Sequence, residues 1–149
     1  MSRTLGQELK LAMESFAEKG EGALPGFLAL YHEDIAFQDP LVRLYGREDF
    51  GKAMRKLIAR CKDFSIECAD LAETPDGLIY LAWTMRLSLK VAPGFVEIGP
   101  SVVVPGVTHA RGRDGRIEWQ RDHWDLAGSA VQAFPGLAPI YRRLTQFLA

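Results

Sequence analysis

The sequence predicts an α+β domain in which N-terminal helices cover one face of a curved antiparallel sheet. Apolar residues recur at helical spacing in two stretches of the first 61 positions, whereas from Phe64 onward they alternate in strand fashion. Strong turn sequences, Thr74-Pro75-Asp76-Gly77 and Asp114-Gly115, separate the alternating runs. Helices first and strands afterwards is the order of an α+β fold rather than of a parallel α/β sheet.

Leu5, Leu9, Ala12, Met13 and Phe16 define the first helix, which Gly20 and Gly22 end. Ala23 to Leu30 reads as a short apolar helix, with Pro25 in the first turn, where its missing N–H is not needed. The segment Asp34 to Pro40 alternates, placing Ile35 and Phe37 on one face, and period two carries Asp39 onto that face. From Gly46 to Cys61, Phe50, Ala53, Met54, Leu57 and Ile58 form a helical stripe, with Glu48 and Asp49 at the end that favours acids. Phe64, Ile66 and Cys68 pair as a hairpin with Ile79, Leu81, Trp83, Met85, Leu87 and Leu89. Pro93-Gly94 and Gly99-Pro100 bracket a connection, and Ser101–Arg111 and Arg116–Asp125 form a second hairpin. Ile140, Leu144, Phe147 and Leu148 make a C-terminal amphipathic helix beginning near Pro139.

The composition narrows the function without naming it. A chain of 149 residues is the size of one domain, and 48% hydrophobic with 25% charged residues is ordinary globular content. Eighteen basic against nineteen acidic residues leave a net charge of -1, so a polyanion-binding surface has no support and nucleic acid is not expected as a partner. No apolar run reaches the roughly 18 residues of a membrane span, and the start lacks the apolar core of a signal peptide. A soluble, cytoplasmic protein with no membrane association is expected. Cys61 and Cys68 form neither a disulfide framework nor a metal-spaced cluster. Phosphate-cradling glycine loops, zinc-binding helices and serine-hydrolase elbows are missing, and His32, His109 and His123 are too widely spaced for a local metal motif, so no metal and no cofactor are expected.

Particular residues carry a family likeness: Leu30-Tyr31-His32-Glu33-Asp34 leading to Phe37-Gln38-Asp39-Pro40, the helix opening at Gly46, and Gly115-Arg116-Ile117 leading to Arg121-Asp122-His123-Trp124-Asp125. With the order of elements, they make the chain resemble the nuclear transport factor two-like superfamily, which includes ketosteroid isomerases and SnoaL-like cyclases. The resemblance covers roughly residues 4 to 127. It implies a cone-shaped, cystatin-like α+β roll, a single domain over residues 1–149 with 129–149 as an amphipathic extension, and a pocket where the helices leave the sheet uncovered.

The resemblance places Asp39 as a general base that moves a proton beside a carbonyl. An apolar surrounding would raise its pKa toward neutrality; the competing reading is a turn-forming Asp whose side chain bonds the local backbone. The chain departs from ketosteroid isomerases in their oxyanion hole, having Ala12, Met13 and Phe16 where a tyrosine is expected and Thr108 in place of a second acid. Gly106 and Thr108 likewise lack the Arg and Asp that limonene-type epoxide hydrolases use. If Asp114-Gly115 is a two-residue loop, positions summing to 229 face each other, so Thr108 pairs with Arg121 and Gly106 with His123. Trp119, Arg121, His123 and Asp125 then share the face of Thr108, and His123 resembles the acid or base that SnoaL-like cyclases carry on this strand. One further loop residue would flip that register and send His123 to the surface. Arg121, if inward, needs a carboxylate such as Asp39 or Asp125 or an anionic ligand, and Asp125 has the alternative of capping the turn at Gly128.

The expected site therefore has Asp39, His123 and Arg121 as catalytic residues and Phe37, Trp83, Met85, Thr108, Trp119 and Asp125 as ligand-binding ones. The expected ligand is a small apolar molecule bearing a carbonyl, and the expected reaction a cofactor-independent isomerisation or cyclisation by proton transfer. The alternatives are a non-catalytic binding module and a homodimer built by the long apolar strand Ile79–Leu89 and the C-terminal helix.

Overall fold

A computed structural model describes residues 2–90 and 101–148. Helices α1 (Leu5–Lys19) and α2 (Leu24–Leu28) precede strands β1 (Tyr31–Gln38) and β2 (Arg43–Tyr45), and helix α3 (Arg47–Arg60) comes next. The long strands β3 (Cys61–Glu73), β4 (Leu78–Leu89), β5 (Val102–Arg113) and β6 (Arg116–Trp124) follow, then helices α4 (Leu126–Ala133) and α5 (Ala138–Leu148). The connection bracketed by Pro93-Gly94 and Gly99-Pro100 lies outside the described residues. All six strands form one curved, unclosed sheet in the order β2-β1-β6-β5-β4-β3. The expected antiparallel sheet is in fact mixed, because β1 lies parallel to β6 while every other pair is antiparallel. A parallel pair needs a long crossover, and here the whole of β2 to β5 supplies it.

Local chemistry explains where the helices sit. Thr4 and Gln7 cap α1 reciprocally, and Glu73 at the far end of β3 accepts from Gly6 N (2.9 Å) and from the Thr4 hydroxyl. This fixes α1 across β3, with Leu9, Met13, Phe16 and Ala17 buried. Phe16, Phe27, Tyr31, Phe37 and Phe50 then interlock, with ring centroids 4.7 to 6.0 Å apart for the pairs Phe16–Phe27, Phe27–Tyr31, Tyr31–Phe50 and Phe37–Phe50, and Phe27–Phe50 at the upper end. Ile79, Leu81, Trp83 and Leu87 of β4 are buried in the same core. That face of β4 is therefore filled from within the chain.

The β5–β6 hairpin sets the geometry that matters for function. Asp114 and Gly115 both adopt positive φ (53° and 74°), the two-residue turn whose twist suits a hairpin. Arg113 faces Arg116 and Gly112 faces Ile117, as counting from a two-residue loop requires. A bulge then intervenes: Arg111 faces Trp119, leaving Glu118 as the extra residue, whose carboxylate accepts from Arg113 Nε at 2.7 Å. Beyond it every pair is shifted by one, so Thr108 faces Asp122 and Val107 faces His123.

Beyond β6 the chain turns at Asp125 into α4, which starts ahead of the extension expected from residue 129. Gln132 on α4 bonds both N and O of Val103 (2.9 and 3.0 Å), fastening it to β5. Helix α5 packs on α4 and the intervening turn, leaving Ile140, Leu144 and Phe147 exposed at 59%, 60% and 88%. Among the described residues no helix is long and apolar enough to cross a membrane.

Candidate functional site

The bulge at Glu118 turns Gln120, Asp122 and Trp124 toward the interior and Trp119, Arg121 and His123 away from it. The expected shared face of Trp119, Arg121, His123 and Thr108 is thus corrected: uniform alternation through the strand does not survive an inserted residue. The side chain beside Thr108 is Asp122 rather than the expected Arg121.

Asp122 is the end point of two hydrogen-bonded arms. Trp83 Nε1 donates to Thr108 Oγ1 (2.9 Å), and the Thr108 hydroxyl donates to Asp122 Oδ1 (2.7 Å). An indole N–H can only donate, so the hydroxyl must direct its own proton to the carboxyl. On the other side, the Tyr31 hydroxyl donates to Gln120 Oε1 (2.8 Å), and Gln120 Nε2 donates to the same Asp122 Oδ1 (2.9 Å). The acceptor at Asp122 thereby fixes which way the Gln120 amide points. Thr108 and Tyr31 are fully buried and Gln120 and Trp83 nearly so. Gly106 permits the first arm, since a Cβ there would collide with the Trp83 indole lying across it.

The electrostatics follow from this enclosure. Burial pushes the Asp122 carboxyl up from 3.8 to about 6; its bonds from Thr108 and Gln120 hold it down, and the nearby charge of Asp39 pushes it further up. Burial, with Asp122 adding to it, raises the Tyr31 phenol well above its ordinary value, so Tyr31 stays a neutral donor. Both arms end on Oδ1, and Oδ2 accepts no hydrogen bond from the described residues. When Asp122 is neutral, Oδ2 is the oxygen left to carry the proton.

Asp122 borders an open cleft of about 370 Å³ shared with Gln38, Asp39, Pro40, Arg121, His123 and Trp124. Strand β1 ends at Gln38, so the alternation that would have carried Asp39 inward stops one residue short of it. Its Oδ1 instead accepts from Leu41 N (2.7 Å) and Val42 N (2.8 Å), the turn-forming role, while the residue still lines the cleft beside Asp122. Arg121 and His123 are exposed at the same cleft, and Arg121 makes no ion pair among the described residues. Asp125 is the N-cap of α4, accepting from Gly128 N at 2.9 Å, and does not line the cleft. Phe37, Trp83 and Met85 pack in or against the core, and Trp119 lies on the opposite face of the sheet from Thr108. These nine residues therefore do not converge on one enclosed cavity.

Gln120 and Asp122 had a signal in the sequence: they alternate as regularly as Arg121 and His123, and a polar pair with the same period competes equally for the inner face. Tyr31 stands four residues before Ile35, and only the strand's early start at Tyr31 shows that it points inward. Among the described residues no group of three His, Cys, Asp or Glu side chains is placed to hold a metal ion.

Comparison with known proteins agrees with this architecture. A family model described as a SnoaL-like domain matches residues 13–119. A candidate polyketide cyclase from Pseudomonas putida is 20% identical over 89% of this chain and 99% of its own, with a TM-score of 0.70. TsrD from Streptomyces laurentii is 22% identical over 89% and 96%, with a TM-score of 0.71. An epoxide hydrolase from Mycobacterium tuberculosis, similar to the limonene-type enzymes, is 16% identical over 92% and 97%, with a TM-score of 0.64. At these identities the likeness is one of fold. Among curated proteins none matches this sequence.

Proposed function

Starting from the SnoaL-like domain family, to which this chain belongs, we propose that the protein is a cofactor-independent proton-transfer enzyme acting on a small carbonyl compound, with Asp122 as its general acid and base. The observation that carries this reading is the two-armed hold on Asp122 Oδ1 in the lining of a cleft, with the carboxyl poised at about 6. The likeness in fold to a candidate polyketide cyclase supports the reaction class.

In the reaction, Asp122 Oδ2 takes a proton from a carbon beside the substrate carbonyl. The C–H electron pair moves into the new C=C bond and the carbonyl π pair onto oxygen. Isomerisation follows when the proton returns at another carbon; cyclisation follows when the enolate carbon attacks a second carbonyl and Asp122 protonates the resulting alkoxide. A carboxyl near 6 is ionised enough to accept the proton at neutral pH and basic enough to hold it. Thr108 and Gln120 orient the carboxyl, Arg121 at the cleft supplies positive charge for the oxyanion, and the His123 ring N–H offers it a hydrogen bond.

The reading is tested without knowing the substrate by incubating a panel of cyclic and aromatic ketones in heavy water and following α-proton exchange by NMR. The protein accelerates exchange of at least one ketone, Asp122→Asn abolishes the acceleration, and Asp39→Asn lowers it without abolishing it. Full activity in Asp122→Asn contradicts the proposal. A second reading, a non-catalytic binding module, is favoured by one observation: the cleft is open rather than enclosed. Saturable ketone binding with no exchange selects it.

A further inference from the structure

The outer face of the sheet carries a second cleft, of about 300 Å³, which shares Gln38 and Arg121 with the cleft that Asp122 borders. Two rows of outward side chains cross it in register. The first runs Arg43, Gln38, Arg121, His109, Tyr80 over five strands; the second runs Tyr45, Ala36, Trp119, Arg111, Leu78. Ala36 is the small residue between two large rings, and its missing bulk opens the cleft. Adjacent strands are about 4.8 Å apart, so Tyr45 and Trp119 spring from backbones roughly 10 Å apart, enough for a flat ring to lie over Ala36 between them.

Neither row contains a carboxylate, although Arg47, Arg55, Arg86 and Arg113 elsewhere each pair with one. Arg43 donates only to the neutral Gln38 amide (3.2 Å), and Arg121 has no carboxylate within reach among the described residues. Arg111 Nε and His109 Nε2 are buried without a hydrogen-bond partner. Rings rather than hydrogen bonds fix His109: it stacks on Tyr80 (4.6 Å, 10°) and meets the edge of Trp119 (4.7 Å, 83°). Two guanidinium groups, Arg43 and Arg121, and the His109 imidazole thus share an aromatic-lined recess with unmet donor capacity, and Arg111 lies in register beside Trp119 at its border.

We propose that this outer cleft binds a small flat aromatic acid, its ring over Ala36 between Tyr45 and Trp119 and its carboxylate toward Arg43, Arg121 and His109. A polyanion is disfavoured because the excess is local while the chain as a whole carries -1. Burial, then the neighbouring charges of His123, Arg111 and Arg121, lower the His109 pKa, and a carboxylate bound beside it would raise it again.

The test titrates 2-naphthoate into the full-length protein by calorimetry, with 2-naphthalenemethanol as the neutral counterpart. The expected result is saturable 2-naphthoate binding, about tenfold weaker for the alcohol and for Arg43→Gln, as the loss of one charge-assisted contact requires. Asp122→Asn leaves the 2-naphthoate affinity unchanged, because Asp122 does not line this cleft. Absence of saturable binding, equal binding of the alcohol, or loss in Asp122→Asn with retention in Arg43→Gln overturns the proposal. So does a micromolar dimer, seen by sedimentation, that Arg43→Gln dissociates, because a second copy then occupies the face.

Discussion

The Thr108 hydroxyl gives its proton to Asp122 Oδ1 across 2.7 Å, and the direction of that bond is dictated by the indole N–H arriving behind it. Thr108→Val removes the donor and leaves Trp83 Nε1 buried without a partner. The fold should lose about 1 to 3 kcal/mol. Because the bond favours the charged carboxylate, its loss moves the Asp122 pKa above about 6, and Thr108→Ser restores it. Chemical denaturation measures the first effect, and the pH profile of ketone exchange the second.

Asp122 ties stability to pH with a definite sign. Folding raises its pKa from 3.8 to about 6, so between those values the folded state holds a proton that the unfolded state has released. Its contribution to stability is fully present below 3.8 and is lost as pH rises through about 6. Asp122→Asn keeps an acceptor for Thr108 and Gln120 without the charge. The variant is expected to be more stable than the parent by about 2 kcal/mol at pH 7.5, with the gap closing toward pH 4, as urea unfolding at both pH values will report.

Gly106 lies in register between Trp83 and Trp124 on the inner face. Gly106→Ala places a methyl group where the Trp83 indole lies and displaces the ring from Thr108. The expected cost is about 1 to 3 kcal/mol. Ketone exchange falls with it, because the arm that holds Asp122 is broken; a variant of unchanged stability and unchanged exchange contradicts the role given to this close approach.

Helix α5 makes its contacts with α4 and the preceding turn alone among the stronger packing pairs, and its apolar stripe is exposed. Removing residues 138–148 should therefore change the stability by less than about 1 kcal/mol and raise solubility. Thermal melts of the shortened and full chains compare the two directly.

The fold was legible in the sequence because helical stripes such as Phe50–Ile58 and strand alternation such as Ile79–Leu89 report burial directly, and the bends at Thr74–Gly77 and Asp114-Gly115 have their own chemistry. The parallel β1–β6 pairing was not, since alternation shows which side of a strand is buried and not which strand lies beside it. The site was displaced by one residue for a similar reason. Counting back from Asp114-Gly115 is correct as far as Ile117 and fails at Glu118, whose insertion depends on three-dimensional closure of the hairpin. The contest at Asp39 was decided by the length of β1: two backbone N–H groups beyond Gln38 needed an acceptor, and the nearest carboxylate supplied it.

The central claim is that Asp122, in the cleft it shares with Asp39, is the carboxyl that holds and releases a proton near neutral pH. Carbon-detected NMR titration of the aspartate side chains, with Asp122→Asn assigning the resonance, measures it most directly. The account predicts a midpoint for Asp122 at about 6, moving upward in Thr108→Val. A midpoint near 3.8, unchanged by that substitution, would contradict it.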